Sequence, residues 1–236
     1  MRLSPAPLLV FLLVTSACSR DRAAAPAKEP AIAQAEPAAS PGSATAADST
    51  LWLIGADGKG EITASTTAAE LEARFGAANV RHGEVMLAEG EMSPGTTLFA
   101  DDSTRMMEIV WHDTASRARP QLAIVHGTTG RWAVAPGIRL GTTLAELEAL
   151  NGGPFTFSGF DWDYGGFIGS WRGGRLESLR SGPRSTIVRL DVPAAAELSD
   201  DESRRIAGDR ELRSDDPLLQ RLNPYVSEIT VSFGEA

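Results

Sequence analysis

One segment of this chain occurs twice, and the repetition restricts the fold more than any other feature of the sequence. Thr66-Thr67-Ala68-Ala69-Glu70-Leu71-Glu72-Ala73 returns 76 positions later as Thr142-Thr143-Leu144-Ala145-Glu146-Leu147-Glu148-Ala149. A long internal repeat signals a duplicated structural unit. Both copies carry the same instructions. Thr67 with Glu70, and Thr143 with Glu146, have capping-box spacing: the hydroxyl accepts from a first-turn N–H while the carboxylate accepts from the cap's own N–H. Ala68, Leu71 and Phe75 fall on one helical face, as do Leu144, Leu147 and Leu150. Gly76 and Gly152 follow, where a helix stops most easily. Each copy therefore predicts a helix of two to three turns with one apolar face.

Strand signals follow each helix. Thr96 to Ala100 and Arg105 to His112 flank the turn-rich Asp101-Asp102-Ser103-Thr104. Phe167 to Trp171 and Arg175 to Leu179 flank Arg172-Gly173-Gly174, so an arginine opens the returning strand in both copies. Further strands are expected at Gln121 to Val125, Trp132 to Ala135, Phe155 to Trp162, Thr186 to Val192 and Val226 to Phe233. The polar stretch 194–224 reads as an insertion with short helices at Asp200 to Ile206 and Pro217 to Leu222. A short helix and an antiparallel β-meander, twice over, is an α+β pattern. The expected organisation is one repeat over 51–127 and a second over 128–236.

The repeat length, the Thr-Thr…Glu-Leu helix start and the glycine stop, with Gly153-Pro154 in the second copy, resemble two groups. One is the tandem modules of the β-lactamase inhibitory protein; the other is the single modules of small outer-membrane assembly lipoproteins of the SmpA/BamE kind. The resemblance implies a helix pair on a curved antiparallel sheet. The first copy departs from it, because Ala77-Ala78 stands where Gly-Pro is expected, and 194–224 has no counterpart.

The N-terminal region constrains location. Arg2 precedes the apolar run Leu8 to Val14, then Thr15-Ser16-Ala17 and the chain's single cysteine, Cys18. This order matches a secretory signal peptide over 1–17, and the run is shorter than the ~20 residues that span a bilayer. The segment resembles the lipobox of bacterial lipoproteins, with Thr15 where leucine is commoner. That resemblance implies cleavage before Cys18, acylation of its thiol with chains such as palmitate, and a membrane anchor. Ser19 in place of Asp implies, by the enteric rule, the outer membrane facing the periplasm. Residues 19–50 are mostly Ala, Pro and Ser with no aromatic. Such a composition cannot offset its ordering entropy and reads as a disordered tether with a reach of about 30 Å.

One cysteine excludes an intrachain disulfide framework. Losing Arg2 with the leader takes the formal charge from −9 to −10, a balance that repels nucleic acid. No Gly-x-Ser-x-Gly, Ser-x-x-Lys, His-Glu-x-x-His, phosphate loop or dinucleotide fingerprint occurs, and no cofactor is expected. His82, His112 and His126 lack metal-site spacing. Asp101-Asp102, Asp200-Asp201-Glu202 and Asp215-Asp216 read as solvated turns or helix starts.

The most unusual local sequence is Phe160-Asp161-Trp162-Asp163-Tyr164-Gly165-Gly166, a cluster similar to one seen in uncharacterised bacterial lipoproteins. On a strand, alternation puts the three rings on one side and the two carboxylates on the other. The rings then either fill the core, which is the commoner outcome, or form a recognition surface of the kind that favours Trp and Tyr. Asp161-x-Asp163-x-Gly165 matches part of a calcium loop, without the later bidentate glutamate. If the surface reading holds, the contacts fall on Phe160, Trp162, Tyr164 and Trp171. The functional expectation is a non-enzymatic, membrane-tethered binding module whose partner is an envelope protein or a cell-wall component. The alternative is an envelope hydrolase acting on cell wall or glycan, its carboxylates assembled from distant segments.

Overall fold

A computed structural model describes residues 51–55, 59–181 and 185–234. The leader, Cys18 and the segment 19–50 lie outside the described residues. In chain order the elements are β1 (Trp52–Leu53), α1 (Ala68–Phe75), β2 (Val80–Met86), β3 (Met92–Leu98), β4 (Met107–Asp113), β5 (Ala118–His126), β6 (Trp132–Val134) and β7 (Ile138–Arg139). They continue with α2 (Leu144–Asn151), β8 (Thr156–Ser158), β9 (Ile168–Ser170), β10 (Ser185–Asp191), α3 (Asp200–Ile206), β11 (Glu211–Arg213), α4 (Pro217–Leu222) and β12 (Tyr225–Ser232). Among the described residues the fold is α+β, with four α-helices and mostly antiparallel sheet.

The capping boxes form in both helices. The Thr67 hydroxyl accepts from the Glu70 N–H and the Glu70 carboxylate accepts from the Thr67 N–H at 2.9 Å. Thr143 and Glu146 repeat the exchange, the return bond being 2.8 Å. Gly76 and Gly152 both take positive φ, and Gly152 is a left-handed cap. Each helix is also tied to the start of a strand. The Ala68 N–H donates to the Arg117 carbonyl at the entry to β5, and the Leu144 N–H donates to the Pro224 carbonyl at the entry to β12.

β5 and β12 are central neighbours in a six-stranded antiparallel sheet of order β10-β12-β5-β4-β3-β2. One face alternates Met107, Ile109 and Trp111 on β4, Ala123 and Val125 on β5, Ile229 and Val231 on β12, and Val188 and Leu190 on β10. These side chains join Leu71 of α1, Leu144 and Leu147 of α2, and Trp132, Phe155 and Trp171 in one continuous core. Two small sheets, β11-β8-β9 and the partly parallel β1-β6-β7, complete the layers.

Three expectations need correction. The stretch from Arg175 to Leu179 is not a strand; Glu177–Arg180 forms a 3-10 turn. Its backbone donors go to the end of α2 instead: Arg175 N–H to the Asn151 carbonyl at 2.8 Å, and Leu176 N–H to the Asn151 side-chain oxygen at 3.2 Å. The strand expected from Phe155 to Trp162 ends at Ser158. Gly159 presses against the Ile206 and Gly208 carbonyls, with no room for a Cβ, and Asp161 turns to φ 63°. Finally, 194–224 is not a peripheral excursion. α3 and α4 have the expected bounds, but Ile206, Leu218, Leu219 and Leu222 are core residues and β11 pairs with β8.

Candidate binding surface

The glycines after the aromatic cluster are what shape it. A Cβ on Gly166 would lie 2.0 Å from the Leu190 carbonyl oxygen. That close approach lets the Leu190 N–H donate to the Gly166 carbonyl and sets Phe167 opposite Arg189. The segment 161–166 is therefore a tight turn fixed to the rim of β10, and the strand alternation expected for it does not apply.

The turn divides the four aromatics proposed as contacts. Phe160 is core: its N–H donates to the Ile206 carbonyl at 2.7 Å, it bridges Ala207, and its ring packs 5.7 Å from Phe157. Trp171 is also core, 1 % exposed, its ring tilted against Phe155 at 5.1 Å. Neither offers a surface. Trp162 is half-buried and Tyr164 is 48 % exposed. Their rings meet edge-on at 5.4 Å, and the Trp162 indole N–H donates to the Gly159 carbonyl at 2.8 Å. Trp111 and Trp132 are core residues and Trp52 packs among Phe75, Phe99 and Trp132.

The row continues into charged groups. Tyr164 lies 6.4 Å from Phe167, and the Arg189 guanidinium sits 5.0 Å over the Phe167 ring. Arg189 Nε donates to the Gly165 carbonyl at 2.7 Å, and its Nη1 is 3.9 Å from a Glu228 carboxylate oxygen. Beside this row opens a cleft of about 460 Å³ whose lining includes Asp161, Trp162, Arg189, Asp191, Ser227 and Glu228. Phe160 and Leu190 also line it beside Trp162, but polar groups predominate, with three carboxylates against one guanidinium.

A second element arrives from far away in sequence. The Tyr164 hydroxyl donates to Glu89 Oε1 at 3.0 Å. Glu89 sits at the tip of the β2–β3 hairpin, at φ 59°. The facing carboxylate opposes loss of the phenol's proton and pushes its pKa above the ordinary 10.0, with Asp163 adding to the effect. The hairpin's last cross-strand pair is Met86 with Met92, 66 % and 49 % exposed. Two exposed thioethers therefore stand within three residues of the group that Tyr164 grips. Methionine suits adaptable contact surfaces because its side chain is flexible and polarisable.

The other titratable groups hold the fold. Glu146 and Glu202 have lowered pKa values because they accept bonds at the caps of α2 and α3. Asp102 is held down to about 2 by the Thr104 hydroxyl and Arg105, so it stays ionised. Asp215 pairs with Arg213, and Asp216 caps α4. His82 bonds Thr96 and Glu72, His112 bonds the Gly234 carbonyl, and His126 lies 3.8 Å from Glu108. Among the described residues no three His, Cys, Asp or Glu side chains gather as a metal set, and no helix is long and apolar enough to cross a membrane.

Sequence reasoning missed Met86, Met92, Glu89, Phe167 and Arg189. Nothing local marks them, since the surface is assembled from segments about 75 residues apart. No protein-family model, no curated protein and no solved structure matches the chain.

Proposed function

We propose that this protein is a bacterial cell-envelope lipoprotein that acts by tethered recognition. In this reading Cys18 carries the lipid at the outer membrane, 19–50 is the leash, and the folded part meets an envelope protein or a cell-wall component on the periplasmic side. A tether raises the effective concentration of the recognition surface near its membrane, so even a modest interface suffices.

The observation that carries the binding role is the bond between Tyr164 and Glu89. It joins a Trp–Tyr turn to a methionine-bearing hairpin and leaves Tyr164, Met86 and Met92 exposed together. A fold gains nothing by exposing such side chains in one place, whereas an interface centre is built from them. Trp162 and Tyr164 remain the proposed contacts.

We also infer that the folded part arose as two tandem modules. Supporting this, both capping boxes sit at the start of a helix tied to the entry of a central strand, Thr67 against Ala118 on β5 and Thr143 against Tyr225 on β12. The order β2-β3-β4-β5 is then matched by β8-β9-β10-β12, with Phe167 and Arg189 linking β9 to β10.

The reading is tested on the full chain recovered from envelopes. The expected results are a mature N-terminus whose intact mass carries acyl chains on Cys18, and a defined partner retained by the native chain but lost with Trp162→Ala and Tyr164→Ala together. A bare thiol at Cys18, or a partner held equally by the double variant, rejects it.

A further inference from the structure

Two bonds bracket β2 and fix which of its backbone groups face β3. The Leu87 N–H donates to the Glu91 carbonyl at 2.7 Å, and the Phe99 N–H donates to the Asn79 carbonyl at 2.8 Å. In an antiparallel pair these exchanges recur at every second residue. Arg81, Gly83 and Val85 therefore turn their N–H and C=O groups toward β3, while His82, Glu84 and Met86 turn theirs outward. Val80 turns only its carbonyl outward, since its N–H is taken by the Ala77 carbonyl. Among the described residues no backbone group pairs with this outer edge.

The edge is long, straight and accessible. Its register with β3 has no shift from Val80 to Met86, and the four residues from Arg81 to Glu84 are all exposed. A free edge is normally blunted by proline, a bulge or charged side chains; β2 has neither proline nor bulge, and its charged residues are Arg81 and Glu84. The opposite rim of the sheet differs: β10 is occupied by Gly166 and Phe167, through the Leu190 N–H and the Phe167–Arg189 bridge.

We propose that this edge is a self-association site, where a second copy of the chain adds its β2 antiparallel about a two-fold axis through Gly83. Of the two-fold registers that place outward groups opposite outward groups, three overlap five or more residues of β2. An axis at Glu84 sets carboxylate against carboxylate, which destabilises a sheet pair. An axis at His82 leaves Met86 without a partner residue on the second strand's 80–86 span. An axis at Gly83 overlaps the whole of β2. It sets each His82 opposite the second copy's Glu84 and each Val80 opposite the second copy's Met86. This register keeps the two Glu84 carboxylates apart: each faces the edge of a His82 ring whose nitrogens stay bonded to Thr96 and Glu72. The axis falls on a residue with no side chain, and nothing lies within 4 Å of where its Cβ would be. About six backbone hydrogen bonds join the strands, counted from the outward groups. A two-fold contact uses the same strand of both copies, so the association closes as an isologous dimer.

The test uses the full chain with Cys18→Ser, so that an engineered thiol is the only one. At the axis, Gly83 meets its copy as a non-hydrogen-bonded pair with Cα atoms about 4.5 Å apart, within the disulfide range of about 4.4–6.8 Å. Gly83→Cys is expected to link two chains at least ~10-fold faster than Ala115→Cys, placed in an exposed turn outside β2. Sedimentation velocity is expected to show a monomer–dimer equilibrium that Glu84→Pro weakens by ~10-fold or more, because proline removes an outward donor without touching the β3 ladder. A chain that stays monomeric at every concentration overturns the proposal, as does a dimer unmoved by Glu84→Pro. So does a Gly83→Cys linking rate no greater than that of Ala115→Cys, the result expected if another protein's strand or this chain's own residues 1–50 cover the edge. The linking measurement decides the matter alone should Glu84→Pro fail to fold.

Discussion

The Tyr164 hydroxyl reaches across to a carboxylate far away in sequence, and that bond can be read by titration. The carboxylate of Glu89 raises the phenol's pKa, so the contact contributes fully below about pH 10 and is lost as pH rises through the higher folded value. The chain has two tyrosines, and Tyr225 is also raised, by burial and then by Asp191. In a Tyr225→Phe chain the remaining phenolate signal belongs to Tyr164. Adding Glu89→Ala is expected to bring its absorbance midpoint back toward 10; an unmoved midpoint contradicts the contact. Asn151 shows why residue-level reading falls short. Its side chain donates to the Gly153 and Trp171 carbonyls and accepts from the Leu176 N–H, all while 2 % exposed. As the last residue of a polar-looking helix turn it gave no sign of being a buried hub.

At the scale of elements, legibility followed local chemistry. The capping boxes, Asp200–Ile206 and Pro217–Leu222 were readable because caps, a proline at the helix start and 3.6-residue periodicity act within a few residues. β2 was not, since Val80 and Val85 are its only buried residues and four exposed positions separate them. The false strand at Arg175 to Leu179 failed because a distant asparagine claims its donors. The aromatic cluster is conspicuous in the sequence, but the strand alternation expected for it does not form, because Gly166's forced approach to Leu190 replaces the strand with a turn. The caps carry a quantitative expectation. Thr67→Ala and Thr143→Ala should each lower unfolding free energy by ~1 kcal/mol in denaturant titrations. The depressed Glu146 pKa makes its part of the second cap present above the ordinary carboxylate range and lost as pH falls through the folded value. The difference between the native chain and Thr143→Ala should therefore shrink in acid. A loss near zero at neutral pH contradicts the assignment.

Across the whole molecule, the two segments proposed as tandem modules are joined by strand pairing and by a shared core. β5 pairs with β12, β1 pairs with β6, and one core runs through Leu71, Trp132, Leu147 and Trp171. The same closure sets the hairpin tip of one half on the aromatic turn of the other, which no local pattern in the sequence announces. That junction is the centre of the account. Its most direct test is a photo-crosslinking residue placed at Tyr164 in the full chain in living cells, with Ser116, in an exposed turn outside this surface, as the control. Position 164 is expected to link one envelope partner reproducibly and saturably, and position 116 is not. The same product pattern from both positions would contradict it.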